Sequence, residues 1–178
     1  MSNYRDLKRR HETAVVDDFV GWLKRLSGAN WTVTSRPNPP DAIITNGSAI
    51  SWVEHADLYR NWEEARSETS FATPGKTHIP HSQHPICDPG RQTAIALMAL
   101  LQGKLSNSSY RSAYEHYGQG FLVISVRDPL FDNDTVADID RATEQMEVAG
   151  DNSYFCKIYL AIRSPQNVTY REVTYRKD

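Results

Sequence analysis

Asp41-Ala42-Ile43-Ile44-Thr45-Asn46-Gly47-Ser48-Ala49-Ile50-Ser51-Trp52-Val53-Glu54-His55-Ala56-Asp57 reads as two β-strands, 41–45 and 49–56, folded back on each other at Asn46-Gly47. Asn-Gly between apolar runs is the strongest short hairpin signal, because a tight primed turn needs positive φ at both central residues. Taken as a two-residue turn, it pairs Asp41 with Trp52 and leaves Glu54 two residues further along the partner strand. Strand side chains alternate, so Asp41, Trp52, Glu54 and Ala56 share one face while His55 and Asp57 point the other way. Two carboxylates on one face, about 7–8 Å apart along the diagonal, can converge on a hard cation. The bland alternative is a strand that happens to open with Asp41 and carry an exposed Glu54. Glu54 follows Trp52 and Val53 in a segment that reads as central, which favours function.

Upstream, Val15, Phe19, Leu23 and Leu26 fall at helical spacing and predict an amphipathic helix over 7–26. The same stripe counted backwards reaches Glu12. An acid facing a core is costly without a partner; near a helix start it also suits the dipole and can reach solvent. Residues 31–35 predict a strand, and the prolines of 36–40 force an extended entry to the next.

Downstream, 57–67 has helix-forming composition, and the polar stretch 68–88 reads as a long loop. Asp88-Pro89 caps and opens an apolar helix through Ile95, Met98, Leu101 and Leu105. The continuous apolar run 121–126 predicts a strand covered on both faces. Asp134 caps a further helix bearing Val136, Ile139, Thr143 and Met146, which Gly150 ends. Residues 154–162 and 168–175 supply the last strands, the final one at an edge. The order α-β-β-β-α-β-α-β-β, with a hairpin start and one parallel crossover, predicts an α/β fold: a mixed β-sheet with flanking helices, in a single domain over 1–178.

A chain of 178 residues with 39% hydrophobic content is long enough for a real core. A net charge of −2 argues against a protein that coats nucleic acid by charge alone. Arg5, Lys8, Arg9 and Arg10 form either a local basic patch or the solvated end of a helix. No run approaches membrane-spanning length, so no membrane partner is expected. Cys87 and Cys156 stand far apart without a disulfide framework, which points to a reducing, cytoplasmic setting.

With Glu12 on the first helix, Pro40-Asp41 on the second strand and Val53-Glu54 on the third, residues 5–126 resemble the PD-(D/E)XK nuclease superfamily. The run Asn38-Pro39-Pro40-Asp41-Ala42-Ile43-Ile44 followed by Trp52-Val53-Glu54 is similar to its motif. The order helix, three strands, helix, strand is similar to its restriction-endonuclease-like αβββαβ core. The resemblance implies an endonuclease acting on nucleic acid, DNA rather than RNA, with Asp41 and Glu54 as ligands of Mg²⁺ (or Mn²⁺) and Glu12 as an auxiliary ligand. In that family a lysine two residues after the second acid helps to activate water, and here that position is Ala56. Some relatives supply the group from another element, often the following helix, and Lys76, Arg91, Gln92 and Lys104 are the groups available. Lys104, late in an amphipathic helix, reads as a solvated charge. Gln92 is expected at the catalytic site and Arg91 at the substrate phosphate, because both stand in a first helical turn, which suits anions; Lys76, in the preceding loop, is a further expected substrate contact. Ala56 also favours a reading from another class: a catalytically degenerate nuclease-fold module for binding or assembly. The oligomeric state stays open, a homodimer being one option.

His78, His81, His84 and Cys87 recur at every third position, and all are zinc-ligand types. One reading is a structural Zn²⁺ site that staples the loop. Pro80 and Pro85 make a four-ligand wrap very tight, so a subset completed by His55 or Asp57 is easier to build. Alternatively one histidine acts as a base or phosphate contact, or all are solvated beside a substrate groove. Tyr110, Tyr114 and Tyr117 with Arg111 either contact nucleic acid or pack on a short helix. Asp128, Asp132, Asp134 and Asp138 resemble a calcium loop only superficially, since its glycine and terminal glutamate are missing.

Overall fold

The computed structural model describes residues 4–73, 75–80, 87–128, 130–145, 147–148, 154–164, 166–174 and 176–177. Helix α1 (Tyr4–Ser27) buries Val15, Val16, Phe19, Val20 and Leu23. Leu26, expected on the same stripe, is exposed in the last turn, just before Gly28 leaves the helix with φ of 69°. Three antiparallel strands follow: β1 (Thr32–Ser35), β2 (Ala42–Thr45) and β3 (Ile50–Leu58). The helix expected over 57–67 starts later, as α2 (Trp62–Ala72), because β3 keeps pairing as far as Leu58 with Val126. Asn61 caps α2 by accepting from Glu64 N.

Next come α3 (Pro89–Leu105), a 3-10 turn (Ser108–Tyr110) and α4 (Arg111–Tyr117). Asp88 caps α3 as expected, accepting from Arg91 N. The buried face of α3 is Ala94, Leu97 and Leu101, whereas Ile95 is exposed. Apolar residues occupy most of positions 94–101, so periodicity alone could not select that face. The chain continues through β4 (Gly120–Val126), α5 (Asn133–Glu144), β5 (Glu147–Val148), β6 (Phe155–Arg163), β7 (Val168–Glu172) and β8 (Arg176–Lys177). Asp132, not Asp134, caps α5 by accepting from Thr135 N.

The main sheet has six strands in the order β1-β2-β3-β4-β6-β7, and β5 pairs with β8 separately. β3–β4 and β4–β6 are both parallel, so there are two parallel connections where the sequence suggested one. β7 closes the sheet antiparallel to β6, at an edge as expected. This is an α/β fold with a mixed sheet between helices. α1 covers one face, over Ala42, Ile44, Val53, Val123, Tyr159 and Ala161. α3, α4 and α5 cover the other, over Ile43, Trp52, Leu122, Ile124, Ile158 and Leu160. The central strands therefore read as unbroken apolar runs because both of their faces are covered. Among the described residues, no helix is long and apolar enough to cross a membrane.

Trp52 is the pivot of the second core layer. It is fully buried, donates from Nε1 to Gly118 O at 2.8 Å and stacks on Tyr110 at 5.7 Å between ring centres. Its indole lies directly over Gly120, where an added Cβ would come within 2.2 Å of Trp52 Cδ2. Gly120 is thus required by close approach. Gly120→Ala is expected to lower the unfolding free energy by about 1–3 kcal/mol through overpacking. A urea midpoint equal to wild type would refute that account of Trp52.

Candidate active site

The hairpin turn is longer than the sequence suggests. Ala42 pairs with Val53, Ile43 with Trp52 and Thr45 with Ile50, so the connection spans four residues, 46–49. Asn46 Oδ1 accepts from both Ser48 N and Ala49 N and folds the loop as an Asx turn, with Gly47 at φ 88°. The pairing is displaced by two residues from the expected one, which preserves the faces. Extended by one residue, it sets Asp41 opposite Glu54 rather than opposite Trp52.

Glu54 is buried, and its two oxygens differ. Oε1 accepts from Lys104 Nζ at 2.7 Å and from Tyr110 OH at 3.0 Å, while Lys104 also donates to Tyr110 OH at 3.1 Å. Oε2 is buried without a hydrogen-bond partner. Asp41 Oδ2 accepts from His55 N at 2.8 Å. Burial, followed by the charges of Glu54 and Glu12, pushes the Asp41 carboxyl up to about 6, against the His55 N–H and Lys104. Burial and the Glu54 carboxylate likewise raise Tyr110, which therefore stays a protonated donor. Glu12, Glu54 and Lys104 thus all lie within electrostatic reach of Asp41.

A cleft of about 520 Å³ opens on Asp41, walled by Glu12, Lys8, Arg9, Arg36 and Asn38. Lys8 pairs with Glu12 at 3.4 Å, and Arg36 with Asp17. Lys8, Arg9 and Arg10 are exposed, as a solvated helix end would be, and Lys8 and Arg9 also line the cleft.

The other expected site residues lie elsewhere. Gln92 donates from Nε2 to Cys87 O, and Arg91 lines a separate cavity with Asp88, Met98 and Asp138. Both stand in the first turns of α3, roughly 18 Å along the axis from the turn that carries Lys104. Lys76 borders a cavity with Arg66, Ser70 and Ile79, beside α2. Lys104 is the group that reaches the acids. Of the histidine string, His78 is exposed with its ring edge-on to Phe71, and Cys87 is exposed; His81 and His84 lie outside the described residues. Tyr110 is a core residue and a donor, while Tyr114 and Tyr117 are partly exposed. Asp128 is buried against Thr93 and Arg60, and Asp132 is a helix cap, so neither belongs to a calcium loop.

His55 and Asp57 face α1, as the alternation required, and meet a residue the sequence did not single out, His11. His11 Nε2 lies 3.1 Å and His55 Nε2 3.6 Å from Asp57 Oδ1. Burial pushes His55 down to about 4. Burial works against ionisation of Asp57, yet the His11 hydrogen bond, His55 and Arg127 hold its carboxyl at about 2. His11, His55 and Asp57 could hold a metal ion, and they are the one such trio among the described residues with donor atoms all within 4.8 Å of one another. The oxygens of Glu12, Asp41 and Glu54 are spread more widely. Comparison of the chain with family models, with curated proteins and with solved structures gives no match.

Proposed function

We propose that this chain is a Mg²⁺- (or Mn²⁺-) dependent endonuclease that hydrolyses phosphodiester bonds of DNA. Its core would be restriction-endonuclease-like, with Lys104 from α3 in the role of the lysine that Ala56 replaces. The observation that carries the reading is Glu54 Oε2, a buried carboxylate oxygen without a donor beside a second carboxylate. Unpartnered buried anionic oxygens are costly, and a cation between Asp41 and Glu54 removes the cost. The donor set fits Mg²⁺, which takes hard oxygens, needs only one or two protein carboxylates and keeps several waters. Glu12 then serves as an auxiliary acid on the cleft wall.

When bound, the ion supplies Lewis-acid polarisation of the phosphate and a more acidic attacking water. The protein's own groups do the rest. Tyr110 and Lys104 fix Glu54 by its Oε1, which leaves the buried Oε2 free to take a cation shared with Asp41. The Lys104 ammonium places a positive charge beside the acids, where it stabilises charge developing on the phosphate. Lys8, Arg9 and Arg36 line the cleft and offer cations to the substrate backbone, although the overall charge is −2.

Incubation with supercoiled plasmid and Mg²⁺ or Mn²⁺ is expected to give nicked and linear products, and Asp41→Ala or Glu54→Ala is expected to abolish them. An uncut plasmid, or variants that cut like wild type, would sink the assignment. The binding-module reading expects DNA or protein binding that survives loss of both acids, and metal-dependent cleavage by wild type removes it.

A further inference from the structure

We infer that His11, His55 and Asp57 form a separate site for a transition-metal ion of the zinc class, on the sheet face opposite the Asp41–Glu54 acids. The placement follows from alternation along β3. Glu54 projects toward α3 and α4, whereas His55 and Asp57 project toward α1, where His11 immediately precedes Glu12. On β3, adjacent residues thus serve opposite faces of the sheet.

The spacing suits a small tetrahedral ion. Zinc–ligand bonds of about 2.0–2.1 Å require donor atoms roughly 3.3 Å apart. The Asp57 oxygen lies 3.1 Å and 3.6 Å from the two imidazole nitrogens, whose rings stand edge to face at 5.2 Å. The donor chemistry discriminates between metals. Two imidazoles and one carboxylate suit zinc, cobalt or nickel, whereas the all-oxygen acids opposite suit magnesium. A cavity of about 40 Å³ adjoins the trio on its His11, Ser125 and Arg127 side, without being lined by His55 or Asp57, and is large enough for a water. His55 has its side chain only 2% exposed, so one ligand is fixed by the core, while His11 at 30% gives the ion a way in.

The remaining groups around the trio set its affinity. Arg127 Nε donates to Asp57 Oδ1 at 2.8 Å and its terminal nitrogen lies against His11 Nε2, so a guanidinium is held on two of the three donors. Ser125 Oγ lies 3.0 Å from His55 Nε2. The pocket therefore already gathers positive charge, and an entering ion competes with Arg127, whose side chain is 26% exposed and can swing to solvent. An ion here would tie α1 to β3 at the residue whose backbone N–H holds Asp41. It would act as a stiffening element and not as a participant in cleavage.

The test uses untagged, chelator-stripped full-length protein with His78, His81 and His84 replaced by alanine, which removes the loop as a competing site. Titration with Co²⁺ in a large excess of Mg²⁺, which occupies the carboxylate site, is expected to give one Co²⁺ per chain, visible d–d absorption of a low-coordinate site and a raised melting temperature. His11→Ala, at a part-exposed position, is expected to weaken binding at least roughly tenfold. Arg127→Ala is expected to tighten it. Glu54→Gln is expected to leave it unchanged, which separates this site from the acids: plasmid cleavage can fail without touching this result. Absence of Co²⁺ binding, equal binding by His11→Ala, or its loss in Glu54→Gln would overturn the inference.

Discussion

Lys104→Met is expected to lower metal-dependent DNA cleavage by roughly 10²–10³-fold, the usual loss when one preorganised donor to developing charge is removed. Methionine keeps the apolar stem of the side chain and its packing in the last turn of α3, so the change removes the ammonium alone. The expected split is a fall in kcat with little change in KM, because Lys104 donates to Glu54 and does not line the cleft with Lys8, Arg9 and Arg36. The double variant Lys104→Met with Ala56→Lys is expected to recover much of the rate. Position 56 lies two residues beyond Glu54 on the same face of β3 and pairs with Ile124 on β4, which puts a new ammonium beside the same carboxylate. Wild-type cleavage by Lys104→Met would show that the ion pair is merely structural. Failure of the double variant to exceed the single one would show that Lys104 acts through the placement of α3, not through its charge.

The acids were legible in the sequence for a reason that tolerates error. Asp41 and Glu54 share a face in any register displaced by an even number of residues. The Asx turn at Asn46 lengthened the loop by two, moved Asp41 opposite Glu54 and left the parity intact. An odd slip would have separated them. The α/β class was legible because strand and helix periods alternate clearly along the chain. From the sequence Lys104 reads as a solvated charge, since its position depends on which side of an almost uniformly apolar helix packs inward. Ala94, Leu97 and Leu101 win that contest over Ile95, and only then does the last turn deliver Lys104 to Glu54. Gln92 and Arg91 carried the better local signal, a first helical turn, but sit at the far end of the same helix. His11 had no signal at all. Its partners lie 44 and 46 positions away, and nothing in the helical pattern of α1 distinguishes it from its polar neighbours.

Asp41→Asn is expected to abolish cleavage and, in the absence of metal, to stabilise the protein at pH 8. The Asp41 carboxyl is raised from 3.8 to about 6 by burial and by the neighbouring charges of Glu54 and Glu12. A raised folded-state pKa favours the protonated form. Its stabilising contribution is therefore complete below the unfolded value near 3.8 and is lost as pH climbs through about 6. Above that, folding holds a carboxylate in a place that resists it, at a cost of up to about 3 kcal/mol, less where the partly open cleft lets solvent relax the charge. Asparagine keeps an oxygen that can accept from His55 N but carries no charge, so the advantage of the variant should be near zero at pH 4, grow between pH 4 and 6, and level off at about 1–3 kcal/mol by pH 8. Mg²⁺ should reverse the order, because an ion that binds only the folded wild type adds stability by mass action, and the variant lacks the ligand. Urea midpoints at pH 4, 6 and 8, with and without Mg²⁺, measure all of this. A variant advantage independent of pH would mean that Asp41 is not held against its charge. Equal stabilisation of both proteins by Mg²⁺ would mean that the ion binds elsewhere, and that the strain at Asp41 serves something other than a metal.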